Sequence, residues 1–329
     1  MKTIAFFNNK SGAGKTSLVY HLAWLYADRG IKVLVADLDP QANLSAMFLE
    51  EERLAQLWDD GGQNTVIDCL QPLIDRTGDI ATPHVEHVTP TIGLVAGNLA
   101  LSRFEDLLSE SWVKCLGGDV VAFRITTAFH RIMRLAAESM QAELILIDVA
   151  PSLGAINRAV LIAAEQVVLP LAPDLLSLQG LRNLGPTLRE WRTGWQKRLG
   201  ALPANSGIDA PAGDMQPLGY VITQPSVRDS RSLKVYRHWL DRIPGVYRKS
   251  VLGEAVAEPP SIETDPFCLS LLKHYRSLMP LAMDARKPMF FLKPADGAVG
   301  AHVEAVKACY EDFLALGRRI GDRVGVVVN

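Results

Sequence analysis

Short continuous apolar runs alternate along this chain with stretches in which apolar residues recur every three to four positions, the pattern of strands alternating with helices. The run Thr3–Phe7 predicts a strand. A helix is predicted over Thr16–Arg29 from Leu18, Val19, Leu22, Ala23, Leu25 and Tyr26, with Gly30 as its stop. Val33–Ala36 is apolar without alternation, as expected of a strand buried on both faces of a parallel sheet. The same reading predicts helices at 66–74, 101–112, 123–140, 157–164, 176–199, 230–243 and 302–320. Strands are expected at 92–96, 144–147, 166–171 and 218–223. Residues 200–216, rich in Ala, Pro, Gly and Asn, predict a loop. Pro259, Pro260 and Pro266 predict an irregular excursion over 254–275, and the tail 318–328 predicts a last core strand or a frayed end. The expected fold class is α/β: one doubly wound, mostly parallel sheet with helices on both faces, forming a single domain over 1–329.

Composition narrows the function classes. No apolar run approaches a membrane span, and the first residues enter a strand rather than a signal peptide, so a cytoplasmic location is expected. The four cysteines lie far apart with no C-x-x-C pair, which predicts free thiols. The net charge of −2 hides an uneven spread. Residues 1–150 carry 12 Lys and Arg against 19 Asp and Glu, whereas 181–249 carry 12 against 5. That basic stretch permits contact with a polyanion without requiring one.

Three predicted strand ends carry the chemistry: Lys10–Ser17, Asp37–Asn43 and Asp148–Gly154. In open α/β sheets ligands bind at the carboxyl ends of strands, so one crevice can hold all three. The small residues Ser11, Gly12, Ala13 and Gly14 let backbone N–H groups close around a polyphosphate at a helix N-terminus, with Lys15, Thr16 and Ser17 completing the cradle. Lys15 would reach the terminal phosphates and the Thr16 hydroxyl would ligate magnesium. Asp148 would hold the same ion through water, Asp37 would support it from behind, and Asp39 would orient the attacking water. A lone Asp at a strand end is usually a turn former or a helix cap. The conjunction of three such segments is what favours phosphoryl chemistry. The cradle departs from the ordinary P-loop pattern, with Asn9 where a glycine is usual and a second lysine, Lys10, at its mouth. No N-K-x-D guanine-reading motif occurs, which favours adenine, and Thr223 and Gln224 are candidates for lining the base pocket.

These segments resemble the ParA/MinD group of deviant Walker A ATPases, and most closely its ParA (Soj) branch. The loop pattern K-G-G-x-G-K-[ST] is met by Lys10–Thr16 apart from Ser11. The segment D-L-D-P-Q-x-N is complete at Asp37–Asn43, and Ile147–Gly154 is similar to the family's I-D-x-P-P-S-L-G, with Ala150 in place of its first proline. Lys287-Pro288, with Gly297 and the last helix, is similar to the family's closing segment. The resemblance implies ATP and Mg2+ as cofactors and slow ATP hydrolysis, with Lys10, Lys15 and Asp39 catalytic and Thr16, Asp37 and Asp148 at the metal. It further implies that ATP closes a homodimer in which Lys10 crosses to the partner's nucleotide. The ATP-bound dimer would bind DNA without sequence preference. A ParB-like protein or cargo adaptor would trigger hydrolysis, and the cycle would partition a plasmid, chromosome or other cargo on the nucleoid.

Candidate DNA contacts lie in the basic stretches: Arg182, Arg189, Arg192, Arg228, Arg231, Lys234 and Arg276, each of which can equally be a solvated helix position. Two other functions remain open on the sequence. A MinD-like membrane switch would need an amphipathic C-terminal helix with bulky apolar residues, and the tail has two glycines and no Phe, Leu or Trp over 318–328. A metabolic enzyme on the same scaffold would need a second-substrate pocket that no motif announces. The cysteines do not form a cluster-bridging pattern, so an electron-transfer relative is excluded.

Overall fold

A computed structural model describes residues 1–59, 64–223, 236–255, 257–275 and 277–328. The continuous apolar runs become β1 (Lys2–Phe6), β2 (Val33–Leu38), β4 (Ile92–Val95), β5 (Leu144–Val149), β6 (Gln166–Leu171) and β7 (Gln216–Thr223). With β3 (Glu86–Thr89) and β8 (Cys268–Leu272) they form one eight-stranded sheet in the order β3-β4-β2-β5-β1-β6-β7-β8. Only β3 runs antiparallel to its neighbour. Every residue of β2 and β5 is buried, which is why their sequences show no polar alternation.

The helices cover both faces. On one face the core unites α4 (Val66–Ile74), α5 (Glu105–Lys114), α6 (Val120–Thr126), α7 (Ala128–Met140), α8 (Ala155–Ala163) and α9 (Leu175–Leu199). On the other, α1 (Lys15–Asp28), α2 (Asn43–Phe48) and α3 (Glu51–Trp58) pack with a long C-terminal helix, Ala301–Val324. The doubly wound α/β architecture expected from the sequence is the one observed.

Local expectations fail where a tertiary contact overrides them. The helix expected over 123–140 breaks at Thr127, because Thr126 and Thr127 turn their hydroxyls back onto the carbonyls of Ala122 and Phe123, each at 2.8 Å. The stretch 101–112 begins as a 3-10 turn, Leu99–Phe104, before α5. Within 254–275, expected to be irregular, β8 forms by pairing with β7 at the sheet edge. The tail is neither a strand nor frayed up to Val324: the last helix runs through Gly317 and Gly321 and stops at Gly325, which takes a left-handed φ of 77°. A Cβ on Gly317 would come within 2.5 Å of Leu25, and one on Gly321 within 2.5 Å of the Val326 carbonyl. Gly317 and Gly321 therefore admit neighbours, and the helix ends at Gly325. All four cysteines are buried and free.

Candidate functional site

The register of the central strands builds the site. Phe6 of β1 and Asp37 of β2 both pair with Asp148 of β5, so three strands end at one level and open into one crevice. The chain leaving β1 is pinned there. Asn8 donates from its side-chain amide to the Pro170 carbonyl at 2.6 Å and accepts the Lys10 N–H at 2.9 Å. Gly12 and Gly14 take φ of 71° and 84°, left-handed values that a side chain resists, and α1 starts at the next residue. The first-turn N–H groups of α1 thereby face the crevice mouth with their partial positive charge. Ser11 is exposed and is not among the left-handed residues, so its replacement of glycine creates no backbone strain.

Lys15 is 7% exposed. Burial pulls its ammonium below the ordinary lysine range, while the charges of Asp148 and Asp39 oppose that shift. The Thr16 hydroxyl donates to Asp148 at 2.6 Å. Asp37 and Asp148 are wholly buried. Desolvation raises Asp37 to about 7, partly opposed by the Ser45 hydroxyl and N–H, both 2.7 Å from Oδ2. Desolvation, then the neighbouring Asp37 charge, raises Asp148 to about 8. Oδ1 of each carboxylate is buried without a hydrogen-bond partner. Two orphaned carboxylate oxygens beside a threonine hydroxyl are the donor set a hard divalent cation takes. Among the described residues no cluster of three or more His, Cys, Asp and Glu could hold a metal by itself.

Asp39 follows β2 and is 5% exposed, and its Oδ1 accepts the Gln41 N–H at 2.9 Å. It therefore closes an Asx turn as well as facing the Lys15 charge. Lys10 does not extend freely from the loop mouth. Its ammonium is ion-paired with Asp174, which also caps α9 by accepting the Ser177 N–H at 2.8 Å. Three leucines, Leu153, Leu175 and Leu176, stand exposed at the ends of the loops that follow β5 and β6.

A small cavity of about 70 Å³ opens beside the first turn of α1, lined by Gly14, Ser17, Thr223, Tyr275, Met289 and Phe313 among others. Thr223 lies next to Gly14 of the cradle, and Gln224 falls outside the described residues. Tyr275, Met289 and Phe313 had no local signal, because they arrive from segments far along the chain. Of the basic candidates, Arg182 is exposed on α9. Arg189 instead donates to the carbonyls of Ser250 and Val251, and Arg192 to that of Met215 at 2.6 Å, so both tie α9 to neighbouring segments. Arg228, Arg231, Lys234 and Arg276 fall outside the described residues.

Sequence reasoning also passed over Ser45, Asn157 and Asp174. Ser45 bridges Asp37 to the Gly97 N–H, and Asn157 donates to the carbonyls of Ala150 and Ser152 at 2.6 and 2.7 Å. Asn157 thereby shapes the turn that Ala150 would otherwise leave loose. A polar residue inside the apolar pattern of α8 was its one visible sign.

The family AAA_31, an AAA domain, matches residues 1–200. Protein IncC of Escherichia coli is 29% identical over 218 residues, taking in 64% of this chain and 52% of its own length. The chromosome-partitioning ATPase Soj of Thermus thermophilus is 29% identical over 202 residues, 60% of this chain and 66% of its own length. The chain spans about half the length of the curated relatives it matches. Among solved structures, a protein of Corynebacterium diphtheriae superposes with a TM-score of 0.67 at 23% identity, covering 98% of this chain and 99% of its own. The ParA of pNOB8 superposes at 0.62 with 21% identity, covering 98% of each chain. At that identity the two structures speak to the fold alone.

Proposed function

We propose that this chain, which belongs to the AAA_31 family as a ParA/Soj-like member of the ParA/MinD ATPases, is an ATP-driven dimerisation switch that partitions or positions a cargo. One observation carries the reading. The Thr16 hydroxyl, at 2.6 Å from Asp148, stands at the N-terminus of α1 beside two buried carboxylate oxygens that nothing in the described protein satisfies. Mg2+ bound there would neutralise charge on the β- and γ-phosphates. Thr16 would hold it directly, with Asp148 and Asp37 behind. Lys15, kept dry, would meet the terminal phosphates as an undiluted charge. Asp39 would fix the water that attacks, and the base would lie toward Thr223, Tyr275 and Met289.

The dimer belongs to the same reading. Lys10 and the exposed Leu153, Leu175 and Leu176 form a cationic and apolar rim around the crevice, suited to a second copy. On closing, Lys10 would exchange Asp174 for the partner's phosphates. DNA would then be held non-specifically through phosphate contacts, Arg182 being the exposed candidate. A membrane role has less support. The C-terminal helix buries Cys309, Phe313, Leu316, Ile320 and Val324, and among the described residues no helix is long and apolar enough to cross a membrane.

The test combines light scattering with DNA anisotropy on the full chain. Mass should double with ATP and Mg2+ but not with ADP, and affinity for a random duplex should appear only with ATP and fall steeply with salt. A monomer under all nucleotides, or DNA binding indifferent to nucleotide, would overturn the proposal.

A further inference from the structure

Away from the nucleotide crevice, the end of α5, the side of α8 and the last turns of α9 enclose a cleft of about 550 Å³, lined by Trp112, Leu116, Arg158, Glu190, Lys197 and Arg198 among others. Two guanidiniums share one indole in it. Arg158 stands 4.4 Å and Arg198 3.7 Å from the centre of the Trp112 ring. Arg198 is held in place, donating to the Trp112 carbonyl at 2.6 Å and the Gly194 carbonyl at 2.7 Å. The Arg158 guanidinium makes no hydrogen bond or ion pair among the described residues, only its stacking on Trp112. Burial, then the Arg198 charge, lowers it to about 10. The charges of Glu105 and Glu190 oppose this only in part. Glu105 is committed to the Ala155 and Ile156 N–H groups at the start of α8, and Glu190 is exposed at the rim.

A half-buried guanidinium beside another cation, with its donors unused, is a place prepared for an anion. The rest of the lining indicates which kind. Leu116 is 52% exposed at the cleft, an apolar surface beside the two guanidiniums. Alternating carboxylate and aliphatic side chains match this mixture, whereas a duplex backbone offers charge without apolar groups. We propose that the cleft docks an acidic, leucine-bearing segment of a partner protein, with carboxylates on Arg158 and Arg198 and an apolar side chain over Leu116. The site touches the switch through one helical turn. The Arg158 N–H donates to the Gly154 carbonyl at 3.0 Å, and the adjacent Asn157 holds the loop that follows Asp148.

The test uses the full chain without nucleotide, so its failure would leave the ATPase reading standing. Fluorescein-labelled 12-residue peptides of alternating Glu and Leu, or Gln and Leu, are titrated by anisotropy, and a random DNA duplex is titrated separately with ATP and Mg2+ added. The Glu-Leu peptide should bind about tenfold tighter than the Gln-Leu peptide. Arg158→Gln should abolish that preference, Arg158→Lys should restore part of it, and Arg182→Gln should leave it intact. Circular dichroism melts confirm that each variant is folded. Equal affinity for both peptides, or a preference that survives Arg158→Gln, would overturn the docking site. So would a loss confined to the duplex, which would assign the cleft to nucleic acid.

Discussion

His21 offers a measurable link between the cradle helix and the segment that lines the small cavity. It sits fully buried on α1, its ring stacked on Phe313 at 4.9 Å. Nδ1 lies 2.7 Å from the Ser17 carbonyl, which can only accept, so Nδ1 carries the proton. That leaves Nε2 free to accept the Met289 N–H at 3.2 Å. Burial lowers its pKa from 6.5 to about 4. The folded state keeps the ring neutral, while the unfolded chain takes a proton below 6.5. His21 therefore contributes stability that is intact above pH 6.5 and is lost as pH falls toward 4. At pH 5.0, 1.5 units below the unfolded value, the loss is on the order of 2 kcal/mol.

The perturbation is His21→Phe, which keeps an aromatic ring against Phe313 and Phe290 but cannot titrate. At pH 7.5 the variant should be less stable by about 1–3 kcal/mol, because the Met289 N–H loses its acceptor. At pH 5.0 that deficit should shrink by about 2 kcal/mol. Urea unfolding followed by far-UV circular dichroism at both pH values measures the difference. A deficit identical at pH 7.5 and 5.0 would refute the reasoning, since it would mean that the imidazole titrates alike in both states.

Four further variants test the geometry. Asp174→Asn should release Lys10 without removing the α9 cap and lower the ATP concentration needed for dimerisation, read by light scattering; Lys10→Ala should shift it the other way and reduce phosphate release. Asp39→Ala should retain nucleotide binding by fluorescent-ATP titration while phosphate release falls at least about a hundredfold, the usual scale for a lost proton-handling group. Glu105→Ala removes the acceptor for two N–H groups at the start of α8 and should cost about 1–2 kcal/mol in urea unfolding.

The phosphate cradle and the alternating layers were legible in the sequence because their physics is local. A small-residue loop between an apolar strand and a helix has few other conformations, and a strand buried on both faces must be apolar throughout. Even the left-handed turn at Gly12 and Gly14 is decided by residues next to one another. The tertiary structure alone decided what meets across the sheet. Lys10 and Asp174 are 164 residues apart, and no spacing rule pairs them. The same holds for Ser45 beneath Asp37, for Met289 against His21, and for two arginines from different helices on Trp112. Strand register put Asp37 opposite Asp148, and the burial of both carboxyl groups exists only once the sheet has closed.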